Sequence, residues 1–104
     1  MTTQELRELD AWIAEHVMGW VPGSMSGLWK IGPSSFRNFH PTLLAADAMD
    51  VLKKCAEKHA VWVGRLEGNW ALSLTDSREL THMTYGDTLE IAIAKFARAI
   101  FTKQ

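Results

Sequence analysis

Residues 60–76, AVWVGRLEGNWALSLTD, limit the fold more than any other stretch. Two apolar runs flank a turn, the signature of an antiparallel hairpin. Apolar residues occupy alternate positions on both phases of the first run, Val61 and Val63 on one and Trp62 and Leu66 on the other. Register follows the hydrophobic set. A two-residue turn at Gly68-Asn69 divides the apolar residues between the faces. A three-residue loop, Glu67-Gly68-Asn69, sets Leu66 against Trp70 and Trp62 against Leu74. That gathers Trp62, Gly64, Leu66, Trp70, Leu72 and Leu74 on one face, and this is the register expected. Val61, Val63, Arg65, Ala71, Ser73 and Thr75 then form a second, weaker apolar face. A purely solvated face alternates more cleanly to polar residues, so a helix is expected over each face, the weaker one incompletely covered.

The elements around the hairpin follow from periodicity and capping. Thr2 and Glu5 form a capping box, and Leu6, Leu9, Ile13 and Val17 repeat at helical spacing, which predicts a helix over 3–18 stopped at Gly19. A second helix is expected over 42–58, capped by Thr42 after Pro41, with Ala45, Ala48, Met49, Leu52, Cys55 and Ala56 as its stripe. Leu80–Tyr85 reads as a third strand. Asp87 and Glu90 are expected to cap a last helix whose apolar positions Leu89, Ile93, Phe96, Ala97 and Ile100 are widened by Ile91, Ala92, Ala94, Ala99 and Phe101.

Between the first two helices, residues 19–40 form a long Gly, Pro and aromatic loop. Structureless loops beyond roughly 12–15 residues are uncommon in compact domains, so a short strand is expected near 28–31. Its aromatics, Trp20, Trp29, Phe36 and Phe39, either cap the core edge or form a binding surface. On the second reading Trp29, Phe36 and Phe39 are apolar anchors, with Lys30 and Arg37 as their charged rim. The expected fold class is α+β. A small antiparallel sheet of about three strands is sandwiched between helices in the order α-loop-α-β-β-β-α, as a single domain over 1–104.

Size and charge narrow the function. The chain has 104 residues, enough for a core without disulfides, and its one cysteine, Cys55, allows no internal bridge. That fits a reducing compartment. A net charge of −1 supplies no field for nucleic acid or anionic membrane. The polar, acidic N-terminus does not read as a signal peptide, and no apolar run approaches membrane-spanning length.

No motif carries chemistry. Cys55 and His59 lie one helical turn apart with His82 as a distant third, short of a ligand set. Gly23-Ser24-Met25-Ser26-Gly27 puts Met where a nucleophile elbow puts Ser. His16, His40, His59 and His82 fall in different elements. Asp47 and Asp50 are three apart on a helix, where carboxylates commonly solubilise or cap. Gly27 to Gly32 lacks the spacing of a phosphate-cradling loop. No catalytic residue, metal or cofactor is therefore expected.

Helix, three strands, helix is also the order of double-stranded-RNA-binding domains, so a nucleic-acid module using Arg65, Arg78 or Lys53 and Lys54 is the alternative reading. The last helix opens with Asp87 and Glu90, which would repel phosphate, and this counts against it.

Several blocks resemble a known family. Asn38-Phe39-His40-Pro41-Thr42 is followed by Ala46-Asp47-Ala48-Met49 and Leu52. Leu9-Asp10-Ala11-Trp12-Ile13-Ala14-Glu15 with Val17-Met18-Gly19-Trp20 opens the chain. Leu89-Glu90-Ile91-Ala92-Ile93-Ala94-Lys95 and Ala97-Arg98-Ala99-Ile100 close it. In this order they resemble small phage and prophage proteins of the phage ABA-sandwich domain family. Where relatives are acidic before the second helix, this chain has Leu43-Leu44-Ala45-Ala46. The resemblance implies helices on both sides of a sheet, a phage or prophage origin and action in a bacterial host cytoplasm, and it brings no catalytic residue. It points to a non-enzymatic accessory protein that binds an unidentified host or phage protein, including inhibition of a host or defence factor. Homodimerisation is the alternative to a foreign partner.

Overall fold

The computed structural model describes residues 1–23, 28–75 and 83–102. Helix α1 (Thr3–His16) is followed by three short strands, β1 (Val21–Pro22), β2 (Leu28–Lys30) and β3 (Phe36–Asn38). Then come helix α2 (Ala45–Ala56), strands β4 (Val61–Leu66), β5 (Asn69–Leu74) and β6 (Thr84–Gly86), and helix α3 (Leu89–Thr102). The fold class is the α+β arrangement expected: three helices, and an antiparallel sheet in the order β4-β5-β6. The long loop adds a second antiparallel sheet, β1-β2-β3, in which the expected strand near 28–31 is the middle one.

The capping box at Thr2 forms as expected: Glu5 N–H donates to Thr2 Oγ1 at 3.1 Å and Thr2 N–H donates to Glu5 Oε1 at 3.0 Å. The other two caps differ from expectation. Helix α2 starts three residues later than predicted, with Leu44 in the cap position and no side chain bonded there. Thr42 is instead drawn to Asp10 of α1, to which its backbone N–H donates at 2.9 Å and its hydroxyl at 3.1 Å. At α3 the capping oxygen is Thr88 Oγ1, which accepts from Ile91 N–H at 3.2 Å, in place of Asp87.

Helix α3 is the hub. It packs on β5 and β6 and also against α1 and α2. Ala92, Ile93, Ala94, Phe96, Ala97 and Ile100 are all buried, which accounts for an apolar arc broader than a surface helix needs. Leu9 and Ile13 of α1, Val51 and Cys55 of α2 and Leu72 of β5 complete the core with Trp29 and Phe39 from the small sheet and its exit. Gly86 lets β6 approach α3. A Cβ there would lie 2.5 Å from Ala92 N and 2.8 Å from Ala92 Cα.

The hairpin register is neither of the two weighed from sequence. Leu66 pairs with Asn69, Gly64 with Ala71 and Trp62 with Ser73, so the turn is the two residues Glu67-Gly68. Their φ values of 53° and 86° match a turn whose twist suits a hairpin. Paired residues share a face. Val61, Val63 and Arg65 therefore join Trp70, Leu72 and Leu74 toward α3, while Trp62, Gly64 and Leu66 join Asn69, Ala71 and Ser73 on the opposite face. The sequence-based expectation had Trp62 and Leu66 with the leucines. Both phases of β4 are apolar, so its pattern does not select a register, and the turn decides.

Candidate functional site

The five residues expected to form a partner surface fall in different environments. Trp29 and Phe39 are buried core residues, so neither can anchor a partner from the surface. Trp20 meets Phe39 edge-on with ring centroids 4.8 Å apart. Arg37 is occupied internally. Its guanidinium lies 5.6 Å from the Trp20 ring centroid and 5.5 Å from that of Phe39, and it donates to Asp47 and, at 2.8 Å, to Asp50. Hydrogen bonds to Asp50 and Asp47 raise its already high pKa. Asp47 also accepts the His40 backbone N–H at 2.9 Å. Arg37 and Asp47 thus tie the small sheet and its exit to the first turn of α2. Lys30 and Phe36 remain exposed, paired across β2 and β3 on the outer face of the small sheet with Val21.

A second polar cluster joins α1 to the lead-in of α2. Asp10 is buried, accepts both Thr42 donors, and has His40 Nδ1 3.7 Å from its Oδ2. Burial pushes its carboxyl pKa up, against the opposing pull of the Thr42 hydrogen bonds and of His40. Cys55 is fully buried, and burial pushes its thiol up to about 12, which leaves it without thiolate character. Among the described residues no three His, Cys, Asp or Glu side chains group as metal ligands would. Ser24, Met25, Ser26, Arg78 and His82 lie outside the described residues.

The exposed apolar surface that sequence reasoning missed is the sheet face turned away from α3. Trp62 is 38% exposed, Leu66 40% and Tyr85 47%. The pairings Ala71 with Gly64 and with Tyr85 put all three on that one face. Small residues make the platform flat. A Cβ on Gly64 would sit 2.4–2.5 Å from the Trp62 ring atoms Cζ2 and Cη2, so the indole lies over the glycine. Ala71 and Ser73, opposite Gly64 and Trp62, are buried. Among the described residues strand β4 is an edge of the sheet, six residues long, with Arg65 its one charge. Natural edges are usually blunted by Lys, Pro or a bulge, and this one carries neither Lys nor Pro. The sequence signal for this face was the Trp-x-Gly-x-Leu alternation of β4, which reads equally well as core.

The phage ABA sandwich domain family matches residues 11–97. A crystal structure of a phage protein from Bacillus cereus is similar over 100% of this chain and 93% of its own, with a TM-score of 0.74 at 16% sequence identity. That likeness is one of fold. No curated protein matches the chain. Among the described residues no helix is long and apolar enough to cross a membrane.

Proposed function

Since the chain belongs to the phage ABA sandwich domain family, we propose that it is a non-enzymatic accessory protein that works by binding another protein. The observation that carries this reading is the aromatic sheet face, with Trp62, Leu66 and Tyr85 exposed together beside an open β4 edge. Interface hot spots are rich in Trp and Tyr, and large exposed apolar groups on one face mark interaction surfaces. An open edge also offers backbone donors and acceptors to an extended segment of a partner. The occupant is a host or phage protein that presents an apolar patch flanked by such a segment. The setting is the cytoplasm of a bacterial host, where occupying a host factor would inhibit it.

Charge favours protein over nucleic acid as the occupant. Among the described residues this face is formed by Trp62, Gly64, Leu66, Asn69, Ala71, Ser73 and Tyr85, none of them a cation. Single-strand-binding sheets combine stacking aromatics with a basic groove, whereas Arg65 lies on the α3 side, 5.2 Å from the Trp70 ring centroid.

The test is affinity capture from host lysate, followed by rebinding of the purified captured protein to wild type and to Trp62→Ala. The reading predicts a one-to-one complex that the substitution weakens while the circular dichroism spectrum stays unchanged. Rebinding equal to wild type, retention on single-stranded RNA alone, or a chain that only self-associates would overturn it.

A further inference from the structure

The cleft between α1 and residues 38–43 is separate from the sheet face. Two cavities, of about 370 Å³ and 340 Å³, adjoin there and share Arg7, Asp10 and His40 as lining residues. Volumes of this order suit small organic ligands. The larger has Trp29 and Phe39 as its apolar wall and Asn38 as a further polar group.

Its donors are arranged by the Asp10 cluster. Both Asp10 oxygens accept from Thr42, and His40 Nδ1 faces one of them. With Nδ1 directed at Asp10, Nε2, across the ring, is the nitrogen left for a ligand, and it donates to an anion when both ring nitrogens carry a proton. Arg7, one helical turn before Asp10, is exposed and makes no ion pair among the described residues. An unpaired guanidinium beside an imidazole and an amide is a receptor for a planar anion, because its fork matches a carboxylate with two parallel hydrogen bonds.

We propose that this cleft binds a small organic acid, its anionic head held by Arg7 and His40 and its planar apolar body against the accessible edge of Trp29. Asp10 is the one acidic group facing the head. Its hydrogen bonds from Thr42 and its contact with His40 offset its charge, and burial raises its pKa.

Indoleacetate and phenyl phosphate are the probes, with indoleacetamide as the neutral control, each titrated into the whole chain and followed by amide and indole NMR shifts. The acids are expected to move the signals of Asn38, His40 and the Trp29 indole saturably. The tighter of the two names the head group. Indoleacetamide should bind at least roughly tenfold more weakly, and Arg7→Ala should weaken acid binding by a similar factor, about the value of one charge-assisted hydrogen bond. Arg7 is exposed and unpaired, so that variant keeps its fold. His40→Gln, which retains a donor, should weaken the acids less than Arg7→Ala. Trp62→Ala should leave them unaffected, which separates this cleft from the protein-binding face. No shifts with either acid, equal binding of the amide, or undiminished binding by Arg7→Ala would overturn the assignment.

Discussion

Asp10 accepts two hydrogen bonds from Thr42, one from its backbone N–H at 2.9 Å and one from its hydroxyl at 3.1 Å, across 32 residues of chain. Both residues are buried. Thr42 was expected to cap α2, and its diversion to Asp10 leaves Leu44 in the cap position. Removing the acceptor strands a buried donor, whereas removing one donor leaves Asp10 its other bond. Asp10→Ala should therefore destabilise by about 1–3 kcal/mol and Thr42→Val by less. Urea denaturation of both singles and the double should show positive coupling between them. Strict additivity would mean the pair does not act as a unit.

The same carboxylate gives a pH dependence of defined sign. Burial raises the Asp10 pKa in the folded state above its ordinary value. Between the unfolded and folded pKa values the native state holds more protons, so unfolding free energy falls as pH rises through that window. The contribution is full below the unfolded pKa and lost above the folded one. Asp10→Asn cannot titrate. The stability of wild type relative to Asp10→Asn should decline as pH rises from the acid side, measured by denaturation at several pH values. A relative stability that grows with pH would contradict the assignment.

Gly86 separates backbone crowding from side-chain crowding. Its missing Cβ faces the Ala92 backbone in α3, which cannot turn aside. Gly86→Ala should destabilise by about 1–3 kcal/mol, the usual range for overpacking a core, and lower the urea midpoint. An unchanged midpoint would show that β6 and α3 are less closely apposed than described.

How much of this was legible in the sequence depends on whether the governing signal was local. The capping box of α1 and the broad apolar face of α3 are encoded at three- and four-residue spacing, and each produced the helix expected. Helix α2 formed as well, but its buried face runs through Ala48, Val51 and Cys55, while Ala45, Met49 and Ala56 of the expected stripe are exposed. The middle strand of the 19–40 loop was legible, but β1 and β3 are two and three residues long, too short for alternation to register. The hairpin was recognised and its register was not, because Val61 and Val63 compete with Trp62 and Leu66 for the same core. The loop aromatics looked alike in sequence, yet Trp29 and Phe39 point inward and Phe36 outward. Arg37 bridges to Asp47 and Asp50, and Asp10 to Thr42, through space, so neither link leaves a spacing to read.

Gly64 is the local counterpart of that register. A Cβ there meets only the end of the Trp62 ring, which can swing away. Gly64→Ala should leave stability within about 1 kcal/mol, the entropic gain of losing a strand glycine offsetting the displaced indole. It should nevertheless weaken partner binding, since the flat platform is lost. A large stability loss with intact binding would invert the roles given to Trp62 and Gly64.

The most direct test compares two exposed apolar surfaces by calorimetric affinity for the rebinding partner. Trp62→Ala/Tyr85→Ala, on the sheet face, should lose at least roughly 30-fold, the effect of one interface hot spot. Lys30→Ala/Phe36→Ala, on the small sheet, should stay near wild type, although Phe36 is 51% exposed. Loss of affinity in the second variant with none in the first would contradict the account and return the binding surface to the loop.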